Sequence, residues 1–182
     1  MKKITTLFVI ILIFSVSSVF AGGAFEVGSK SLSGGFSYTH LTGDAYYDTD
    51  LLELTPALAV CVSDGVFVGG IFQVRYISQS TSYNSYSDTQ WQIGITLDRY
   101  FVQSYNSSSK LFPFFKVFTL FSNDESVTQL SFGGQVGFMK MMSDAVGLDF
   151  GIKGVVDRFS ANSQSVSGFT MEASIGVTSF IF

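Results

Sequence analysis

Leu52-Glu53-Leu54-Thr55-Pro56-Ala57-Leu58-Ala59-Val60-Cys61-Val62 decides the fold. Leu52, Leu54, Pro56, Leu58, Val60 and Val62 fall on one parity, and Glu53, Thr55, Ala57, Ala59 and Cys61 on the other. Successive strand residues point to opposite faces, so a strand here has one greasy face and one small or polar face. Ser63-Asp64-Gly65 follows, a hairpin turn signal, and the alternation resumes at Val66.

Working outward, the same alternation marks eight segments: 25–41, 51–63, 66–79, 89–104, 110–122, 126–142, 145–160 and 165–182. Three connections are short or compact: Ser63-Asp64-Gly65, Gln103 to Lys110, and Ser143-Asp144. Four are more polar and mostly longer: Thr42 to Asp50, Ser80 to Asp88, Ser122 to Glu125, and Ala161 to Gln164. The two kinds alternate along the chain. Outer-membrane barrels show this asymmetry, with short periplasmic turns and longer outer loops. Paired glycines such as Gly34-Gly35, Gly69-Gly70 and Gly133-Gly134 suit bends and tight interior space in a curved sheet. Pro113 lies near the start of its segment, where a proline is tolerated, whereas Pro56 predicts a bulge.

Upstream, residues 1–21 read as a cleaved signal peptide. Lys2 and Lys3 form its charged start, Leu7 to Phe14 its apolar run, and Val19-Phe20-Ala21 its cleavage site. The run is short for a spanning helix, which needs ~20 apolar residues. Later apolar runs are broken within a few residues, so a membrane would have to be crossed by a closed barrel over residues 22–182. That length fits one domain. Removing Lys2 and Lys3 leaves 8 basic against 14 acidic residues, a net charge of −6. Such a balance argues against nucleic-acid binding. The lone Cys61 has no disulfide partner and reads as a packed thiol. His40 is the only histidine, so a metal or nucleophile role lacks partners.

Parity sorts the residues into two faces, and in a membrane barrel the apolar one is expected to face outward. Tyr76 and Trp91 lie near its outer end, and Phe101, Phe112 and Phe138 near its inner end, as candidate interface girdles. Arg99 and Lys140 fall on the same parity at the inner rim, where long side chains reach water. The opposite parity collects Glu53, Arg75, Asp98, Lys116, Asp149, Lys153, Asp157 and Glu172, together with Gln73, Gln92, Gln129 and Gln135. An eight-stranded barrel is only wide enough for side chains to fill it. A packed polar network is therefore expected in preference to a narrow charge-lined pore.

His40 points to the lipid side at the outer rim. Membrane-embedded lipid A deacylases use a His-x-Ser pair on an outer strand face, but here Thr42 follows His40 and no carboxylate adjoins it. Catalysis lacks its triad. Asp44, Asp48 and Asp50 could bind a hard cation, but they match no fixed-spacing loop motif and read as a solvated acidic loop. The Tyr-, Asp- and Ser-rich stretches 44–50 and 81–88 suit adaptable contact with an extracellular ligand.

The chain resembles the small outer-membrane β-barrel domain family, the OmpA- and OmpX-like eight-stranded proteins, over residues 24–182. The resemblance rests on residues 28–36, Thr55-Pro56-Ala57, Val62 to Gly69, Asp98-Arg99-Tyr100-Phe101, Leu111-Phe112-Pro113-Phe114, and Gly137-Phe138 through Leu148. It implies an all-β, antiparallel up-and-down transmembrane barrel, and no single activity. In such barrels the terminal aromatic usually shares the outward parity and is read by the assembly machinery. Here Phe180 and Phe182 share parity with Glu172, Ser174 and Gly176, which predicts a bulge near Thr178 or a frayed end. The expectation is a non-enzymatic protein of the cell outer membrane with no cofactor and no metal. Its partners would be outer-membrane lipids and, through Phe182, the barrel-assembly machinery. A narrow channel and a lipid A-modifying enzyme using His40 are the alternatives.

Overall fold

The computed structural model describes residues 23–42, 48–80, 85–102, 110–124, 127–161 and 164–182. Eight strands follow one another: β1 (Lys30–Thr42), β2 (Asp48–Ser63), β3 (Val66–Ser80), β4 (Ser85–Tyr100), β5 (Leu111–Asp124), β6 (Val127–Met141), β7 (Val146–Ala161) and β8 (Gln164–Ile181). Each pairs antiparallel with its neighbours, and β1 pairs with β8, so the sheet closes as a barrel. Closure removes the sheet edges that an open sheet of this length would expose.

Several boundaries differ from the sequence-based expectation. β1 starts at Lys30, not at residue 25. Residues 23–28 instead turn at the rim, with Glu26 N donating to Gly23 O at 3.1 Å and Gly28 N to Cys61 O at 2.9 Å. β2 begins at Asp48 and β4 at Ser85, inside stretches expected to be loop, and β4 ends at Tyr100 rather than residue 104. Pairing with β3 extends both strands: Asp48 opposes Ser80, which in turn opposes Ser85. The expected asymmetry of connections therefore fails. The longest connection, 101–110, lies at the end carrying the tight turn at Asp64-Gly65, while 162–163 at the opposite end is among the shortest.

Pro56 makes no bulge. Leu54 opposes Val74 and Ala57 opposes Ile71, so the register runs through it unchanged, and the shift falls between Cys61 and Ser63. No bulge occurs near Thr178 either, because Gly147–Thr178 and Val146–Ser179 continue the ladder in step. The end does not fray: Phe180 opposes Ser31 and is buried. The tight turn needs Gly65, whose φ is 69°. Its N–H donates to Phe25 O at 3.0 Å, and its carbonyl accepts from Tyr100 N at 2.7 Å.

The two faces separate cleanly. Outside lie Leu54, Leu58, Ile93, Ile95, Val117, Phe132, Val136, Phe150, Ile152 and Ile175, all exposed. Inside lie the charges and amides, together with a compact aromatic cluster at one end. A soluble barrel would have the reverse polarity, since burial of apolar surface normally drives folding in water.

Candidate functional site: a charged lumen above an aromatic plug

Register builds the lumen. Directly opposing residues form the row Cys61–Phe67–Asp98–Lys116–Gln135–Lys153–Glu172, one from each strand from β2 to β8. A second opposing pair, Glu53 and Arg75, places an acid beside a base. A one-residue slip would send every one of these side chains to the outer face.

Glu53 is the hub. It is 2% exposed, accepts from Gln73 Nε2, contacts the Lys153 ammonium, and receives Arg75 Nη2 at 3.2 Å. Arg75 Nη1 reaches Asp157 at 3.5 Å, and Lys153 reaches Glu172 at 2.8 Å. Asp157 also accepts from Gln129 Nε2 at 3.1 Å and from the Ser131 hydroxyl. Gln92 Nε2 donates to Ser131 Oγ at 3.1 Å. Nearer the plug, Lys116 donates to Asp149 at 3.0 Å, Thr178 donates to the same carboxylate at 2.7 Å, and Thr96 holds Asp98 at 2.5 Å. All eight charged residues grouped by parity thus sit in the lumen. Gln73, Gln92 and Gln129 are buried with them, and Gln135 donates to Ser174 Oγ at 2.8 Å.

Below this network the interior turns aromatic. Phe25 enters from the rim and lies 4.9 Å from Phe112, 5.1 Å from Phe180 and 5.5 Å from Tyr100, ring centre to ring centre. Phe67, Phe114, Met139 and Met141 complete the cluster, and Phe182 packs against it. Cys61 is a packed thiol there, its Sγ donating to Phe25 O at 3.3 Å and to Ser63 O at 3.1 Å. Lys116 joins the two layers, its ammonium 4.9 Å from the Phe114 ring centre and 5.8 Å from that of Tyr100. Higher up, Lys153 sits 5.8 Å from Phe118. Gly133 makes room for that ring, since a Cβ there would run into it.

The outward aromatics Tyr76, Trp91, Phe101 and Phe138 are exposed on the outer surface. Phe112 corrects the expected inner girdle: it is buried and belongs to the plug. Its parity is that of Lys116, so the signal was present and was overridden by its position near the strand end. Arg99 stays at the rim, donating to Asp64 O at 2.7 Å, and Lys140 is exposed. The plug itself was missed, although Phe67, Tyr100, Phe114 and Phe180 share the parity of the charges. Phe25 carries no such signal, because it lies outside the strands.

His40 opposes Asp50 on the neighbouring strand, which corrects the expectation that no carboxylate adjoins it, and the histidine side chain lies outside the described residues. So do residues 1–22, which include the expected signal peptide, and loop residues 43–47 and 81–84. Asp50 accepts from the Tyr38 hydroxyl at 2.7 Å. Among the described residues, no group of three or more acidic, Cys or His side chains is placed to hold a metal ion.

Fold and interior together define the class: a closed eight-stranded up-and-down β-barrel with the inverted polarity of a transmembrane barrel. No family model and no curated protein matches the chain. Among solved structures it is similar to a de novo designed transmembrane β-barrel, at TM-score 0.44 and 11% identity, over 86% of this chain and 98% of that one. It is also similar to the outer membrane protein AlkL, solved by solid-state NMR in DMPC lipid bilayers. There the TM-score is 0.37 and the identity 11%, over 91% of this chain and 95% of that one.

Proposed function

We propose that this chain is an integral outer-membrane protein with a filled, non-conducting lumen, serving envelope integrity or surface contact rather than catalysis. The observation that carries this reading is the pair of layers in series: an ion-paired network above an aromatic plug, inside a wall whose outer face is mostly apolar. Eight strands leave only room for side chains, and here those side chains are tied to one another. The exposed apolar band exceeds what a soluble monomer carries, and lipid is the environment that stabilises it. Backbone groups in that wall are paired strand to strand, as lipid requires. The OmpA- and OmpX-like resemblance agrees with this architecture, and recognition of Phe182 by the assembly machinery belongs to the same reading. The polar ends of the hairpins supply the contact surface.

Heat-modifiable migration of the detergent-extracted membrane fraction tests the localisation; recovery from the soluble periplasm overturns it. Planar-bilayer recording tests the filled lumen. The expected result is no steady conductance. A stable, ion-selective current that changes on Lys116 or Glu53 substitution overturns it. Unaltered lipid A on expression is expected, whereas modification abolished by His40→Ala would establish an enzyme instead.

A further inference from the structure

The strand-to-strand pairing of the wall has an exception at its seam. β1 pairs with β8 from Lys30–Ile181 to Phe36–Ile175, and there the ladder stops. Both strands run on. Residues 37–42 of β1 stay paired to β2, and residues 164–174 of β8 stay paired to β7. Among the described residues, no pairing joins those two stretches to each other. The other short ladder has a different cause: β4 and β5 part at Ile93–Phe121 because β5 itself ends soon after, at Asp124. At the seam neither strand has run out, so the wall is split there rather than stepped.

The split leaves two strand edges beside an apolar surface. Phe36, Phe169, Met171 and Ile175 flank it and are exposed on the outer face. Alternate residues of an antiparallel strand direct their N–H and C=O to opposite sides, so each stretch turns part of its backbone into the gap. Lipid cannot satisfy those groups. Nothing in the sequence blunts the edges in the usual way. Residues 37–42 include no Pro, Lys or acid. Residues 164–174 include one charge, Glu172, and it is buried in the lumen against Lys153.

We propose that this split is the interface to a second copy of the chain. β1 and β8 run in opposite directions. One added strand is antiparallel to one edge and parallel to the other, whereas two antiparallel strands suit both. A second copy brings those two strands, its own β1 and β8, at the same depth in the membrane. Copies inserted the same way round are related by a two-fold axis along the membrane normal. That axis sets β1 of each copy against β8 of the other, antiparallel, and closes both splits at once. The edges present no like charges to oppose the pairing. The inference rests on the proposed membrane location and goes beyond it. Recovery from the soluble periplasm would end both, whereas single copies in the membrane end only this one.

The test uses full chains folded into lipid vesicles, with Cys61, buried at the inner end, left in place. One chain carries Tyr38→Cys and the other Met171→Cys, Ala173→Cys or Ile175→Cys, all on the outward parity. Opposing residues of paired strands lie about 4.5–5.5 Å apart at Cβ, close enough for oxidation to link them. At least one mixture is expected to give a disulfide-linked dimer that neither variant gives alone. A chain carrying both cysteines separates the occupants of the split. Linkage between chains is expected, whereas linkage within one chain means that the split zips shut on itself and overturns the proposal. No linkage in any mixture, with heat-modifiable migration intact, overturns it too and leaves the gap to water or lipid headgroups. Should the cysteine variants fail to fold, counting copies of the unaltered, dye-labelled protein in vesicles by single-molecule photobleaching decides. Two copies are expected, and one overturns the assignment.

Discussion

Glu53, in the middle of the lumen, touches Gln73, Arg75 and Lys153; Phe25, at its inner end, touches Phe67, Tyr100, Phe112 and Phe180. Both regions fill the same narrow tube, and both are largely sealed from water. Their physics differs. The middle is held by directed pairs, where each group's worth depends on its partner remaining in place. The inner end is held by area and shape, where rings meet at tilted and edge-on angles and a neighbour of similar volume can take over. The difference teaches that one barrel can specify its register with charges and close its end with packing.

Substitutions that treat the two regions alike should separate them. The largest effect is expected at Glu53. Glu53→Ala leaves Arg75 and Lys153 short of their shared anion and should cost ~3–5 kcal/mol, read by urea unfolding in lipid vesicles. A loss under about 1 kcal/mol would mean that the middle does not depend on its pairs. Phe67→Ala opens a void in the plug and should cost about 3 kcal/mol by the same measurement. The contrast sharpens with shape-conserving changes. Phe67→Leu should cost less than about 1.5 kcal/mol, whereas Glu53→Gln should retain most of the alanine penalty. Equal responses would erase the distinction between the regions. Phe25→Ala, which removes a half-buried ring contributed from outside the strands, should cost ~1–2 kcal/mol and leave heat-modifiable migration intact. Smallest of all, Arg99→Ala at the rim should shift stability by under about 1 kcal/mol, since that side chain lies at the water-facing edge.

The faces were legible from alternation alone. Glu53, Arg75, Asp98, Lys116, Asp149, Lys153, Asp157 and Glu172 share a parity, and strand geometry carries a shared parity to a shared face. Strand ends were less legible. Ser85 to Asp88 is polar and reads as loop, yet β3 extends it as strand through continuous pairing. Phe180 seemed out of phase only because a terminal aromatic was expected to face outward; its parity was already that of the lumen. Phe25 could not be placed from sequence, because its position follows from the rim turn and from the Gly65 N–H that holds its carbonyl.

By itself the sequence determined two faces, eight segments and the membership of each face. Parity is a local property, set by the pleat and independent of what lies across the sheet. It did not say which face was inside. Closure of β1 on β8 decided that, placing the charges in the lumen and the apolar residues on the wall. Closure also chose the partners. Lys116 on β5 reaches Asp149 on β7, and Lys153 on β7 crosses to Glu53 on β2. These contacts join strands that are not neighbours, so only the curvature of the closed sheet brings them together.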